Sequence, residues 1–226
     1  MGETYEYEAD STRMVGYRAR PDAPNGAGLV LAPAFAGLRD FEMAQADRFA
    51  GLGYDVLAAD YYGDGWRTDD RNDAAARMAE LQNDRPRLLR RMKGALAQME
   101  TAKIGAFGFC FGGKAVIDLA RAGDTDGVVS LHGIYDQPPL ETRAMPPVLL
   151  CHGWQDPLAD PEAFAAMAAE LEAHCPDWHA LALGGTGHAF TNPAQAGSVP
   201  GMGYVEASAR RSWRAVEAFF ADILLA

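Results

Sequence analysis

Short apolar runs alternate along this chain with stretches whose apolar residues recur at helical spacing. Residues 28–33, 54–60, 104–109, 128–131, 147–152 and 178–183 have the length and apolar content of buried strands. Helical patterns fall between them at 41–52, 85–100, 112–122 and 161–174. A last helix is expected over 205–225, where Trp213, Val216, Phe219, Phe220 and Ile223 lie near helical spacing. The polar N-terminal stretch, 4–20, alternates enough for a hairpin, and 63–91 is expected to cross the top of the sheet as a loop and helix. Strand and helix in turn predict an α/β fold with a mostly parallel central sheet covered by helices on both faces. Ligands of such sheets sit beyond the carboxyl ends of the strands, so residues just after each strand come first as site candidates.

The chain has 226 residues, 49% hydrophobic and 23% charged, which fits one domain over 1–226 with a large core. It shows no internal repeat and no linker. A formal net charge of −11 argues against nucleic acid or an anionic membrane as a partner. No apolar run is long enough to span a bilayer, and the polar, acidic N-terminus has no signal-peptide core. Cys110, Cys151 and Cys175 are odd in number and show no paired spacing, so a reducing cytoplasm is expected rather than a disulfide framework.

Candidate chemistry centres on Gly108-Phe109-Cys110-Phe111-Gly112-Gly113, at the end of the 104–109 run. This is a G-x-nucleophile-x-G elbow with Cys in the nucleophile position. The nucleophile sits in a strained turn from strand to helix, and the glycines let neighbouring backbone approach. The following helix aims its first N–H groups at the site, which favours a thiolate and offers the Phe111 N–H to a developing oxyanion. A buried structural Cys is the plainer alternative. The segment 108–114 also spells a Walker A loop, but Ala115 stands where Ser or Thr would bind Mg²⁺.

Downstream residues favour the elbow. In this architecture the acid and then the His follow the nucleophile. Asp156 lies just after the run at 147–152, whereas its rival Asp160 precedes Pro161 as an expected helix N-cap. A glycine-rich loop after 178–183 delivers His188, placed for a general base. The Phe35 N–H, in the loop after the first parallel strand, is the candidate second oxyanion donor. His132 and Trp154 are candidate pocket residues. His152 has packing as an equal explanation, and His174 and His179 are expected at the surface. No histidine pair has the spacing of a metal site, so no metal is expected.

These segments, with Ala32-Pro33-Ala34-Phe35-Ala36-Gly37 and Asp60-Tyr61-Tyr62, resemble the dienelactone hydrolase family over nearly the whole chain. The resemblance implies an α/β-hydrolase fold, a Cys110–His188–Asp156 triad and no cofactor. It also implies hydrolysis of a small enol-lactone or ester through a thioester. Ala34 stands where the family carries a Glu that meets the resting thiol, and Asn192 where it carries an Arg for a substrate carboxylate. Arg71 or Arg77 could match a second family Arg. A neutral or differently placed anionic ester is therefore expected as readily as dienelactone itself. Acyl transfer by the same triad and non-catalytic ligand binding are the competing functions, and either a monomer or a small homo-oligomer is compatible with the sequence.

Overall fold

A computed structural model of the chain describes residues 1–138, 140–195 and 199–226. The N-terminal alternation folds as the expected hairpin, β1 (Glu3–Ala9) and β2 (Thr12–Ala19), paired antiparallel. There follow β3 (Ala27–Ala32), α1 (Asp40–Ala50), β4 (Asp55–Ala58), α2 (Arg71–Gln82) and α3 (Arg85–Leu96). The remainder comprises β5 (Lys103–Phe109), α4 (Phe111–Ala122), β6 (Gly127–Leu131), β7 (Val148–Gly153), α5 (Pro161–His174), β8 (Trp178–Leu183) and α6 (Glu206–Leu224).

One eight-stranded sheet runs in the order β1-β2-β4-β3-β5-β6-β7-β8. From β4 onward every pairing is parallel, so the carboxyl ends of β3, β5, β6, β7 and β8 share one edge. Successive residues on a strand face opposite layers. Along β7, Val148 and Leu150 join a core with Met92 of α3, Val116 of α4 and Leu171 of α5. Leu149 and Cys151 pack on the other face with Phe49 of α1 and Phe220 of α6.

Two expectations need correction. The run 178–183 does form a strand, but an edge strand, bonded only to β7 and largely exposed along its length. Its place at the sheet edge is set by strand order, which its own composition does not reveal. The helix expected over 85–100 ends at Leu96, and 97–100 turn down toward β5 through Gln98 N–H to Ala95 and Met99 N–H to Leu96. The crossing segment resolves into a loop over 63–70 and helix α2.

Asp side chains cap three helices: Asp70 takes the N–H groups of Asn72 and Asp73, Asp84 that of Arg87, and Asp160 that of Ala163. Helix α4 differs. Its N-cap is Cys110 itself, which makes no side-chain cap. Among the described residues no helix is long and apolar enough to cross a membrane.

Candidate active site

Cys110 leaves β5 with φ 55° and ψ −115°, a conformation costly for a residue with a Cβ. Its backbone is fixed on both sides, the N–H donating to Leu131 O at 3.1 Å and the carbonyl accepting from Lys114 N–H at 3.2 Å. Gly112 explains the doubled glycine in part. A Cβ there would lie 2.2 Å from Ala32 O and 2.3 Å from Pro33 O, so helix α4 presses directly on the loop after β3. Phe111 opens α4, so its N–H precedes the helix's own hydrogen-bond ladder.

The loops after β7 and β8 bring the acid and the imidazole together. Asp156 is buried; its Oδ1 accepts from Leu158 N–H at 2.8 Å and its Oδ2 meets His188 Nδ1 at 2.7 Å. The acid loop is stitched to the histidine loop through Gln155 N–H to Thr186 O at 2.8 Å. A further segment clamps His188: its N–H donates to Gly201 O at 2.8 Å and its carbonyl accepts from Gly203 N–H at 2.9 Å. Gly187 lies so near this segment that a Cβ would stand 1.9 Å from Gly201 O.

Burial acts to lower the pKa of His188, but the neighbouring Cys110 and the bond to Asp156 outweigh it and push it up to about 10. The imidazole is therefore a strong proton acceptor for the thiol. Its Nε2 is buried without a well-formed hydrogen bond, and its tie to Cys110 is chiefly one of charge. The ring of His132 packs edge-on against that of His188 with centroids 5.0 Å apart. His132 Nε2 pairs with Thr191 Oγ1 at 2.8 Å, and burial drives its pKa well below the usual value, so a neutral ring backs the charged one.

In the loop over 33–38 the first four carbonyls are all held. Tyr61 Oη donates to Pro33 O at 2.8 Å and Ala34 O at 2.9 Å, and Tyr62 Oη donates to Phe35 O at 2.8 Å. Thr68 N–H, from the crossing loop, donates to Ala36 O at 3.1 Å. Glu42 of α1 lies beneath and accepts Ala34 N–H at 3.3 Å and Arg39 N–H at 3.2 Å. Phe35 N–H makes no such bond among the described residues.

The other sequence candidates are placed as follows. Trp154 is 45% exposed beside His152 and Phe164. Asn192 turns its Oδ1 to Ala194 N–H at 2.9 Å, within its own turn. His152 stacks on Phe164 at 4.6 Å and 14°, whereas His174 and His179 are exposed. Arg71 opens α2 and is exposed, while Arg77 lies over the rings of Tyr62 and Trp66. Glu42, Tyr61 and Tyr62 had no assigned role in the sequence. Only the adjacency of Tyr61 and Tyr62 to a strand's carboxyl end could have suggested one. Among the described residues no group of His, Cys, Asp and Glu is arranged to hold a metal ion.

A mostly parallel sheet with a Gly-x-Cys-x-Gly elbow after a central strand, and an Asp–His pair in the loops after β7 and β8, has the α/β-hydrolase fold. The chain belongs to the dienelactone hydrolase family, whose model matches residues 14–224. An uncharacterized protein of Caenorhabditis elegans, K02A2.1, is 34% identical over 131 residues, 55% of this chain and 82% of the relative. Among solved structures, the dienelactone hydrolase-like promiscuous phosphotriesterase P91 from metagenomic libraries is 31% identical. It superposes with a TM-score of 0.90 over 99% of this chain and 98% of its own. Esterase 2 of Thermogutta terrifontis, phosphorylated by paraoxon, shares the fold with a TM-score of 0.69 at 17% identity over 99% and 95% of the two chains.

Proposed function

We propose that this member of the dienelactone hydrolase family cleaves a small carboxylic ester or lactone with Cys110 as nucleophile. The observation that carries this reading is the buried 2.7 Å pair of Asp156 and His188 beside a thiol at an uncapped helix start. His188 Nε2 takes the thiol proton, and Asp156 holds the imidazolium through Nδ1. The thiolate sulfur bonds to the carbonyl carbon, and the oxyanion is met by the N–H groups of Phe111 and Phe35. Collapse breaks the bond to the leaving oxygen, which takes the proton back from His188 and leaves a thioester. Water, giving a proton to His188, attacks the thioester; the acid departs and the thiol is restored.

An uncharged acyl group suits this site best. Arg77 spends its Nη atoms on Tyr62 O at 3.2 Å and Glu80 Oε2 at 2.7 Å, and Asn192 serves its own turn. Three free, buried cysteines support a reducing compartment such as the cytoplasm. The test is intact mass after mixing with p-nitrophenyl esters and small lactones. An acyl adduct on Cys110, lost along with turnover in Cys110→Ala, is expected; unchanged turnover in that variant rejects the nucleophile.

A second reading rests on the 31% identity and 0.90 TM-score to a promiscuous phosphotriesterase. The same thiolate would attack phosphorus, expel an aryloxide and leave an S-phosphoryl adduct. Cys110-dependent release of nitrophenol from a phosphotriester would support it.

A further inference from the structure

We infer that Glu42 is a positioning residue for the oxyanion donor at Phe35, a role that rests on the reaction proposed above. Glu42 occupies the third position of α1, where a Glu ordinarily reaches back to the N-cap N–H, and Oε2 does so at Arg39. A cap would account for that bond alone. The second oxygen instead goes to Ala34 N–H, eight positions back and next to Phe35. The carboxyl is buried, 3% exposed, beneath the loop.

The other restraints on 33–36 act on its carbonyls: Tyr61 on Pro33 and Ala34, Tyr62 on Phe35, and Thr68 on Ala36. Glu42 is the side chain that takes an N–H in this stretch, and so holds the 33–34 peptide. Its neighbour, the 34–35 peptide, carries the Phe35 N–H, and its carbonyl is held by Tyr61 and Gly37. An oxyanion hole depends on the direction of its N–H groups, so a tilt of the 33–34 peptide that carries through Ala34 to the Phe35 N–H weakens transition-state stabilisation without touching the thiol. Burying a carboxylate is costly, and burial pushes Glu42 up to about 7 against the opposing N–H bonds. A capping Glu could have stayed in water at a surface helix end.

Two reactions of the same thiol separate this role from a structural one. Alkylation by iodoacetamide displaces iodide and builds no oxyanion, whereas ester cleavage does. In Glu42→Ala at pH 8, kcat for p-nitrophenyl acetate should fall about tenfold or more while KM and Cys110 alkylation stay within about twofold. Glu42→Gln, which keeps the side-chain volume and one acceptor, should lie between. Unchanged kcat, or kcat and alkylation falling together in Glu42→Gln, would overturn the inference. Persistent turnover in Cys110→Ala would instead reject the nucleophile and leaves a different signature.

Discussion

Asp156→Asn tests the pair at the centre of the site. In the native protein Oδ1 accepts from Leu158 N–H and Oδ2 from His188 Nδ1–H, so the carboxylate acts only as an acceptor. An amide cannot do both. With its oxygen toward Leu158, the NH2 group faces His188 and forces Nδ1 to be the acceptor. The imidazole then carries its proton on Nε2 and cannot take one from Cys110. The opposite orientation sets NH2 against the Leu158 N–H in a part-buried site and leaves donor facing donor, which costs up to about 1–3 kcal/mol for each unpaired group. The first orientation therefore wins, with the wrong tautomer. In the native site, despite burial, Cys110 and Asp156 move His188 from 6.5 to about 10, support worth about 5 kcal/mol in all. Losing the charge and the tautomer should lower kcat by roughly 10³–10⁴, or about 4–5.5 kcal/mol. Nitrophenol release from p-nitrophenyl acetate at pH 7 measures it, with circular dichroism to verify folding. The residual rate should climb with pH, because the thiol must ionise unaided. Because the native His188 pKa is raised, its stabilising effect is full below 6.5 and fades as pH rises toward about 10. The stability deficit of the variant should shrink over the same range. A variant within about tenfold of native kcat at pH 7 would refute the tautomer argument.

Three further outcomes are expected. Limited iodoacetamide at pH 7 should label Cys110 before Cys151, which burial pushes up to about 12, and before Cys175, also raised by burial. Peptide mass mapping reads the order, and labelling of Cys151 or Cys175 first would contradict an activated Cys110. Gly112→Ala forces a Cβ onto the backbone carbonyls of Ala32 and Pro33, so about 1–3 kcal/mol and about 3–10 °C of Tm should be lost, along with kcat. A variant with native Tm and kcat would show that the close approach is relaxed at no cost. For Glu42 the folded pKa lies above the ordinary 4.5, at about 7, so the fold prefers the neutral carboxyl and loses stability as pH rises between those values. Glu42→Gln does not titrate, so its Tm relative to native should rise across that window, by an amount corresponding to at most about 3 kcal/mol, and then level off. A flat difference from pH 4 to 8 would count against a buried, titrating carboxyl.

Much of this arrangement is legible in the sequence because strand ends are. Cys110, Asp156 and His188 each follow an apolar run, and a parallel sheet gathers such positions at one edge whatever lies between them. Asp160 betrays its cap by the proline after it, and Asp160 does accept Ala163 N–H. What the sequence hides depends on contacts between distant elements. Glu42 reads as an ordinary first-turn acid, and its bond to Ala34 exists only because α1 folds back under the loop. Tyr61 and Tyr62 enter the sequence only as part of a family-like segment, yet their hydroxyls set the loop over 33–36. The exposure of β8 follows from its having one neighbour, a property of the whole sheet.

The clamp on His188 has a consequence for how rates diverge within the family. The backbone of His188 is bonded through its N–H to Gly201 and through its carbonyl to Gly203, residues that lie in neither the acid loop nor the histidine loop. With a gap too tight for a Cβ between Gly187 and Gly201, this second segment fixes where the His188 backbone lies and so where its ring is carried. Substitutions in 199–203 are therefore expected to retune turnover without replacing any reacting group. Two homologues with identical Cys, Asp and His need not be equally fast, and directed evolution of this scaffold has a handle on its rate outside the three reacting groups.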